Sequence, residues 1–405
     1  MSKKTPCVAF LPKATWLLAS ALTLVPTTTA AEIQFREHVI EKSIPGGYRV
    51  VVVDMNRDGR LDVIGLSGRG EALYWYENPT WDRHVITAGM SRMISVAAAD
   101  IDGDGIPELA LATHFGQTEE TSEGRVFRLH HQGDPEKPWL VSEIDRLPTA
   151  HRLEFADIDG DGEQELINAP LTGPGARQPL FECQTPLVFY RPGEWKREMI
   201  YGQLDGVTHG LGTAKWDATG RTAVLTASFG GVFLHRASKG APTGKLEWSH
   251  DRLAAGDPEG RPKSGASEIR VGRMASGKRF LATIEPWHGD KVAIYTHTDN
   301  NAASEWQRHV IDSTFQDGHA VEVGDFDGDG TDEVVAGFRG EAASTYVYVA
   351  SDAEGAEWRR QNLDAGGMAA AGCNIADLNG DGRLDVVCIG ARTANIKWYE
   401  NLTAR

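Results

Sequence analysis

Five short acidic segments of the chain share one spacing of oxygen-bearing side chains. Each has aspartate, asparagine or glutamate at positions 1, 3, 5 and 9, and glycine at position 6. Alternate side chains of a tight turn point at one centre. Four of them, with the carbonyl group at position 7 and water, supply the roughly six to eight oxygen ligands that Ca²⁺ requires. The spacing therefore predicts up to five structural calcium sites. The predicted ligands are Asp54, Asn56, Asp58, Asp62, Asp100, Asp102, Asp104, Glu108, Asp157, Asp159, Asp161, Glu165, Asp325, Asp327, Asp329, Glu333, Asp377, Asn379, Asp381 and Asp385.

Three histidines share a second spacing, because each lies six residues before an acidic segment or its decayed counterpart. They are His151, His209 and His319, and the two decayed segments begin at Lys215 and Arg273. Imidazoles at equal register on neighbouring strands can meet and bind one divalent transition metal such as Zn²⁺, with open positions for substrate. A metal-free pocket for acid–base chemistry and a plain binding cavity are the alternatives.

Counting along the neighbouring strands places further polar and aromatic residues at the same end of the strands as these histidines. Glu268 is either another metal ligand or a base. Arginines and large aromatic side chains at the same place would line a binding pocket. The candidate catalytic residues are Tyr48, His114, Arg152, Glu268, His288 and Arg339. The candidate substrate-binding residues are Arg92, Phe229 and Trp287.

The elements that position these residues form a long repeat. An aromatic-x-basic strand recurs seven times, and the first positions of the acidic segments follow one another at 46 to 58 residues. Periods near 50 with alternating strands and turns are typical of a β-propeller. The repeat predicts an all-β fold with seven blades of four antiparallel strands. The outer strands are predicted at 35–40, 81–86, 139–144, 195–200, 248–253, 306–311 and 358–363.

The two ends of the chain are expected to close the ring. The sequence ends on a third strand (394–401) without a fourth, and it begins with a fourth strand (35–40) without a blade. Pairing them removes two exposed edges. Residues 1–31 have early lysines, a ten-residue apolar stretch and small residues at a cleavage point, which predicts a secretory signal peptide. Residues 32–405 are then one propeller domain, periplasmic or secreted, that has left the membrane after cleavage.

The charge limits the classes of partner, and the cysteine content bears on whether the chain contains a disulfide. The chain has a formal net charge of −16, and its acidity is concentrated in the predicted calcium turns without a basic stripe. This excludes nucleic acid as a partner. The sequence leaves the oligomeric state open. Cys373 and Cys388 lie nearly opposite each other in one hairpin, and we expect buried thiols there rather than a disulfide.

The chain resembles known families at two levels. Its acidic segments are similar to the FG-GAP or VCBS repeat of integrin-type propellers and secreted bacterial proteins. The segments THGLG (208–212), SEIRVG (267–272), IEPWHG (284–289) and GHAVEVGDFDGDG (318–330) resemble the propeller domain of aldos-2-ulose dehydratase, a sugar-eliminating metalloenzyme. We expect no counterpart here of that enzyme's cupin and lectin-like parts. The resemblance implies metal-binding or proton-transfer roles for His114, His151, His209, His288 and His319.

The narrower resemblance implies a carbon–oxygen lyase: a secreted, metal-dependent carbohydrate lyase or dehydratase. It would perform β-elimination on a keto-sugar or glycoside in the channel mouth, with a carbohydrate or small molecule as its ligand. The resemblance further implies that Arg152 and Arg339 bind sugar hydroxyl groups or stabilise enolate charge, and that Trp287 and Phe229 offer flat faces to a pyranose ring. One alternative is a non-catalytic, calcium-stabilised propeller of the adhesion type that binds carbohydrate or protein. Another is a polysaccharide lyase that uses histidine with tyrosine or arginine and no transition metal. Fold alone does not decide among them, because propellers host both enzymes and binding modules.

Overall fold

The computed structural model describes residues 1–3, 32–239, 245–297 and 306–404. Residues 32–405 form one compact unit. The predicted signal peptide lies outside the described residues apart from its first three, so it stays a prediction. In the described ranges, no helix has the length and apolar character needed to cross a membrane.

Seven four-stranded antiparallel sheets make up the ring, which confirms the predicted seven-bladed propeller. Blades one to four comprise β2 (Gly47–Val53), β3 (Asp62–Ser67), β4 (Ala72–Glu77), β5 (Asp82–Ala88); β6 (Ser95–Ala99), β7 (Glu108–Thr113), β8 (Arg125–His130), β9 (Leu140–Arg146); β10 (Ala150–Ala156), β11 (Glu165–Pro170), β12 (Gln184–Tyr190), β13 (Arg197–Asp205); and β14 (Thr208–Lys215), β15 (Thr222–Ser228), β16 (Gly231–Lys239), β17 (Leu246–Ala254). Blades five to seven comprise β20 (Glu268–Arg273), β21 (Arg279–Glu285), β22 (Lys291–Thr296), β23 (Gln307–Asp312); β24 (Gly318–Gly324), β25 (Glu333–Phe338), β26 (Ser344–Ala350), β27 (Trp358–Ala365); and β28 (Ala370–Ala376), β29 (Asp385–Gly390), β30 (Ile396–Asn401), β1 (Phe35–Glu41). A small ribbon of β18 (Asp257–Pro258) and β19 (Ser264–Gly265) links blades four and five.

The acidic turns fix the hairpin between the first and second strands of five blades. The glycine at position 6 has a positive φ in all five turns, between 83° and 97°, which a side chain would disfavour. Its N–H donates to the position-1 carboxylate, as from Gly59 to Asp54 at 2.9 Å. The position-9 carboxylate accepts the N–H of position 2, as Glu333 does from Phe326 at 2.8 Å. The same side chains therefore shape the turn and gather its oxygens.

Second strands lie in the middle of the packing between blades. Every residue of β3, β7, β11, β25 and β29 is buried, because neighbouring blades cover both faces. This explains why these strands are continuous apolar runs such as ELALAT (108–113) rather than alternating patterns. Third-strand tyrosines add polar links between neighbouring blades: Tyr190 donates to Asp145 at 2.5 Å and Tyr348 to Asp312 at 2.7 Å.

The N-terminal strand closes the ring as predicted. β1 pairs antiparallel with β30, with Phe35 opposite Asn401 and Val39 opposite Lys397. Ile33, just before β1, is 1% exposed and packs in the core of the last two blades. The termini therefore share one blade, and no blade is left with an unpaired third strand.

Deleting residues 32–42 should uncover the edge of β30 and remove the buried Ile33 side chain. Burial of one isoleucine alone contributes roughly 2 kcal/mol, so we expect a melting temperature lower by roughly 5 °C or more and aggregation through the open edge. Calorimetry and size-exclusion chromatography measure both effects. Val39→Lys, on the exposed face of the same strand, is the matched control and should be tolerated. A monodisperse deletion variant with unchanged melting would contradict this account of closure.

Cys373 and Cys388 form a disulfide, so the expectation of separate buried thiols is wrong. The two residues are direct cross-strand partners of β28 and β29, with Cα atoms 4.1 Å apart. Two cysteines held opposite each other at this separation need no backbone movement to bond. The remaining cysteine described, Cys183, is free.

Candidate active site at the channel mouth

The inner strands bring four predicted residues to one mouth of the ring. Tyr48, His151, His209 and His319 are each the second residue of β2, β10, β14 and β24. The ring centroids of His151 and His209 lie 4.7 Å apart, and those of His209 and His319 lie 4.8 Å apart. All three imidazoles are buried. The structure therefore places His209 between His151 and His319 at the mouth.

His288 completes a set of nitrogens that suits a metal ion better than the predicted set. Ligand atoms of His209, His288 and His319 all lie within 4.8 Å of one another. His151 is outside this set, because its Nε2 is bonded to the hydroxyl group of Tyr48 at 2.8 Å. The geometry favours His288 over the predicted His151 as the third member of a nitrogen set, and it leaves His151 beside Tyr48 as an acid–base candidate.

Two of the three imidazoles are held through Nδ1, which leaves Nε2 for a ligand. His319 donates Nδ1–H to the carbonyl oxygen of Ala371 at 2.5 Å, and its buried Nε2 has no partner. Nδ1 of His209 lies 2.8 Å from Oε1 of Glu268. Outer partners of this kind fix the tautomer and orientation of a metal-binding histidine. The donor set therefore fits a divalent transition metal.

The contact between His209 and His288 has two chemically consistent forms. Their Nε2 atoms are 3.3 Å apart, so a proton on one can bridge to the other. Nδ1 of His288 lies 3.3 Å from Nη2 of Arg339 and 3.4 Å from Oδ1 of Asp317. When a proton lies between the two Nε2 atoms, Nδ1 of His288 can accept a hydrogen bond from Arg339. When Nε2 of His288 binds a cation, its Nδ1–H can donate to Asp317 instead. The unpaired Nε2 of His319 is satisfied only in the second form.

The electrostatics keep these imidazoles neutral. Burial, with a contribution from Arg152, lowers the pKa of His209 to about 4. Burial also lowers the pKa values of His151, His288 and His319 well below the usual range. Because a metal ligand must be unprotonated, no proton has to leave these rings at neutral pH before a metal binds.

Tyr48 and His151 form a hydrogen-bonded pair beside the three metal-competent histidines. The Tyr48 ring also lies edge-on to His319, with centroids 5.1 Å apart, and the Arg152 guanidinium sits 5.6 Å from the Tyr48 ring centre. Burial raises the pKa of Tyr48, which keeps the phenol protonated, while Arg152 opposes that shift. The pair can therefore move a proton between a phenolic oxygen and an imidazole.

Glu268 is held as an ion pair rather than as a free base. Its Oε1 lies 2.7 Å from Nη2 of Arg152, and both side chains are buried. Burial alone would raise the pKa of Glu268, but Arg152 and His209 outweigh it and lower the pKa to about 2. So acidic a carboxyl group is a poor proton acceptor at neutral pH. Its contacts with Arg152 and His209 fit a positioning role on His209 better than the predicted role as base, and Glu268 is not part of the nitrogen set that suits a metal.

The predicted substrate-binding residues are placed unequally. Trp287 is half-buried beside His288, with ring centroids 4.8 Å apart. Phe229 is 4% exposed and packs beneath Trp287, so it supports that indole rather than presenting a face of its own. Arg92 donates to the carbonyl groups of Phe115 and Thr121, which ties a surface loop together. His114 binds the hydroxyl group of Thr113, and none of its contacts joins it to the other histidines.

Three polar residues of the mouth were not identified from the sequence. Asp317 accepts two bonds from Arg339, at 3.1 and 2.7 Å. Arg69 and Arg392 line the same cavity of about 590 Å³ as Tyr48 and Arg339. A signal for the two arginines existed: Arg69 and Arg392, like His288, stand fifteen residues after the first position of their repeat's turn. The sequence prediction counted fourteen residues forward from each turn and therefore did not include these two arginines.

The acidic turns gather carboxylates at the far end of the inner strands. In blades two, three and six, oxygens of three acidic side chains lie within 4.8 Å of one another. Burial raises the pKa of Glu165 to about 7 and that of Glu333 to about 9, and neighbouring aspartates add to the shift. Oε1 of Glu333 is buried without a partner. These three turns fit a divalent cation that would neutralise the crowded charge.

The turns of blades one and seven differ from the other three. Position 9 is the shorter aspartate, and both oxygens of Asp62 accept backbone N–H groups, from Met55 at 2.9 Å and Asn78 at 2.8 Å. Asp385 makes the equivalent pair of bonds in blade seven. Asparagine at position 3 also removes one charge. These two turns therefore carry less charge than the other three and offer fewer free oxygens than those of blades three and six. In blade two, Oε1 of Glu108 is also engaged, at 2.7 Å from Nδ1 of His130.

Comparison with known families supports the two predicted resemblances. Residues 54–111 match the family model of the FG-GAP-like repeat. Residues 123–298 match the family model of the aldos-2-ulose dehydratase β-propeller domain. The second match includes His151, His209, Glu268 and His288, while Tyr48 and His319 lie outside it. No curated protein matches the chain.

Proposed function

We propose that this protein is a metal-dependent carbon–oxygen lyase that acts on a saccharide at the histidine-bearing mouth. The observation that carries the proposal is the convergence of His209, His288 and His319 beside the Tyr48–His151 pair. The match to a sugar dehydratase's propeller domain supports a carbohydrate substrate. The same proposal includes export to the periplasm or the medium, which residues 1–31 predict. It includes no nucleic-acid partner.

The metal would be held by Nε2 of the three histidines, and Zn²⁺ suits three nitrogen ligands with a position left open. When bound, it supplies Lewis-acid chemistry that polarises a substrate carbonyl oxygen and acidifies the neighbouring C–H bond. Glu268 and Asp317 orient two of the imidazoles from behind. The Arg152 guanidinium keeps Glu268 ionised, so that the carboxylate continues to accept from His209.

Tyr48 and His151 would move the protons of the elimination. The phenolic oxygen of Tyr48 takes the proton from the substrate carbon as its own proton passes to Nε2 of His151 over 2.8 Å. The C–H electron pair becomes the new C=C bond, and the bond from the β-carbon to oxygen breaks. Tyr48 then protonates the departing oxygen and recovers its proton from His151. The enzyme ends unchanged, and no oxidant or reductant is needed.

Tyr48→Phe tests this relay, because it removes the hydroxyl group and leaves the ring packing. Loss of a positioned acid–base group typically costs roughly 10²–10⁴-fold in rate, so we expect kcat to fall by about that factor with metal content and melting unchanged. Formation of the unsaturated product, followed by ultraviolet absorbance, measures the rate. Tyr74→Phe, on β4 of the same blade, is the matched control. A Tyr48→Phe enzyme with nearly full kcat would remove Tyr48 from the mechanism.

We further propose that calcium binds the acidic turns as a structural ion, tightly in blades two, three and six and more weakly in blades one and seven. Support comes from the carboxylate clusters of the three turns and from the unpaired Oε1 of Glu333. Calcium at these turns lies at the far end of the inner strands from the histidines. It would stabilise the blades without taking part in the elimination.

A non-catalytic binding propeller is the second candidate, and the match to the FG-GAP-like repeat favours it. Metal analysis of protein purified without nickel affinity separates the two candidates. About one transition-metal ion per chain that disappears in a His209→Ala variant supports the lyase. Protein that carries calcium alone and does not take up Zn²⁺ at equilibrium supports the binding module.

A further inference from the structure

A cavity of about 590 Å³ at the histidine-bearing mouth is lined by one tyrosine, three arginines and one aspartate among small residues. The tyrosine is Tyr48, and the arginines Arg69, Arg339 and Arg392 come from blades one, six and seven. The rest of the lining is glycine, alanine and proline. The cavity falls in the size range of small-molecule sites. Its polar character comes mainly from guanidinium groups.

Two of the three arginine charges have no carboxylate partner in the part of the chain that the structure describes. Arg339 is paired with Asp317 through two hydrogen bonds. Arg392 donates only to the backbone carbonyl groups of Gly340 and Glu341, and a carbonyl group does not cancel a full charge. Arg69 makes no side-chain hydrogen bond among the described residues. The lining therefore has a net charge of about +2, in a chain whose net charge is −16.

The backbone around Arg69 is shaped to let this side chain lie along the cavity. Gly46 has a φ of +69°, and a Cβ atom built there would stand 2.7 Å from Cγ of Arg69. A larger residue at position 46 would push the arginine stem away. Gly46 and Arg69 are therefore matched across the rim, which is more than an incidental surface arginine requires.

We propose that the substrate is an anionic saccharide whose carboxylate or sulfate group binds between Arg69 and Arg392, with the reacting carbon next to Tyr48. This rests on the lyase function proposed above and deepens it by naming the substrate class. Planar guanidinium groups suit carboxylate and sulfate oxygens because each can donate two parallel hydrogen bonds. In a uronic acid the two guanidinium groups would neutralise the carboxylate, so that it can accept the charge that develops when the neighbouring C–H bond loses its proton, and elimination then breaks the bond from the β-carbon to oxygen. The balance of protons is the one already given for Tyr48 and His151.

The test compares three oligosaccharides of equal length: a uronic acid polymer fragment, its carboxyl-reduced neutral counterpart, and a sulfated neutral counterpart. Calorimetry with the Tyr48→Phe variant measures binding without turnover, and wild-type enzyme measures formation of the C=C bond. We expect at least one anionic fragment to bind about tenfold or more tightly than the neutral one, since charge-assisted hydrogen bonds are the strong ones. Added salt should weaken only the anionic fragment. The fragment that binds best identifies the anion as carboxylate or sulfate.

Arg69→Gln and Arg392→Gln should each weaken anionic binding by about tenfold and leave neutral binding unchanged. Arg36→Gln, which removes the same charge from an exposed position on β1, is the matched control and should change neither. Equal binding of charged and neutral fragments, unaffected by Arg69→Gln and Arg392→Gln, would overturn the inference even if the neutral saccharide is eliminated. Arginine-dependent anionic binding without any C=C formation by wild type would instead support the inference and refute the lyase.

Discussion

Replacing His209 with alanine is expected to abolish turnover and transition-metal binding while the propeller stays folded. His209 is the central imidazole of the mouth, with ring centroids 4.7 Å from His151, 5.0 Å from His288 and 4.8 Å from His319. It is also the ligand candidate whose Nδ1 contacts a buried carboxylate. Removing it leaves two imidazoles, which bind a divalent ion far more weakly than three.

The size of this effect follows from what the metal contributes. Polarising a carbonyl oxygen is worth several kcal/mol of transition-state stabilisation, and about 4 kcal/mol corresponds to about a thousandfold in rate. We therefore expect kcat/KM to fall at least about a thousandfold. The Arg152–Glu268 ion pair persists without His209, so the melting temperature should change by only a few degrees.

Elemental analysis, kinetics and calorimetry on protein made without nickel affinity measure the three quantities together. His309→Ala is the matched control, because His309 lies on the outer strand β23 and contacts Thr296. The proposal would be wrong if His209→Ala retained both its metal and its activity. Loss of activity with metal retained would instead restrict His209 to a role in proton transfer or substrate contact.

The fold was predictable because the sequence features that specify it repeat along the chain. One turn spacing, repeated at 46 to 58 residues, gives the number of blades. The unmatched strands at 35–40 and 394–401 give the closure that β1 and β30 show. Local chemistry and global topology agree here, since the acidic turn that joins the first two strands of a blade recurs in five of the seven blades.

The candidate site was only partly predictable, because register gives height along the channel and not the direction of a side chain. His209 and His319 lie on regular inner strands, where height is sufficient. His288 lies after the end of β21 with a positive φ of 51°, and this backbone turn brings its Nε2 to His209. Glu268 faces Arg152 across 116 positions of sequence, and that contact sets its acidity. Spacing along the repeat places His288 at the mouth, but it gives neither the direction of that side chain nor the ion pair of Glu268.

Removing calcium is expected to lower the melting temperature by roughly 15 °C. Each site occupied at a hundred times its Kd stabilises the native state by about 2.7 kcal/mol, so three tight sites contribute about 8 kcal/mol. At about 2 °C per kcal/mol for a domain of this size, the loss of about 8 kcal/mol lowers the melting temperature by roughly 15 °C. Melting in excess calcium and in excess chelator measures it. Identical curves in the two conditions would refute structural calcium.

The pH dependence of the calcium-free protein should carry the signature of the crowded carboxylates. Burial raises the pKa of Glu165 to about 7 and that of Glu333 to about 9. In the unfolded chain both groups ionise near their usual pKa of about 4.3. Between these values the native state binds more protons than the unfolded state, so the free energy of unfolding falls as pH rises. In chelator, stability should therefore decline from about pH 5 to about pH 9, whereas bound calcium removes most of the slope.

Glu333→Gln makes this prediction decisive, because its effect should change sign with calcium. In chelator at pH 8 the wild type must take up a proton at Glu333 when it folds, because burial beside Asp325 and Asp327 raises the pKa of this group to about 9. The neutral amide needs no proton, so the variant should melt higher than wild type. In calcium it loses a charged ligand and should melt lower, by several degrees. Glu341→Gln, at an exposed position of the opposite face, should shift neither curve. A Glu333→Gln variant that is destabilised equally in both conditions would mean that Glu333 serves only its bond to the Phe326 N–H, and blade six would then need no cation to hold its turn.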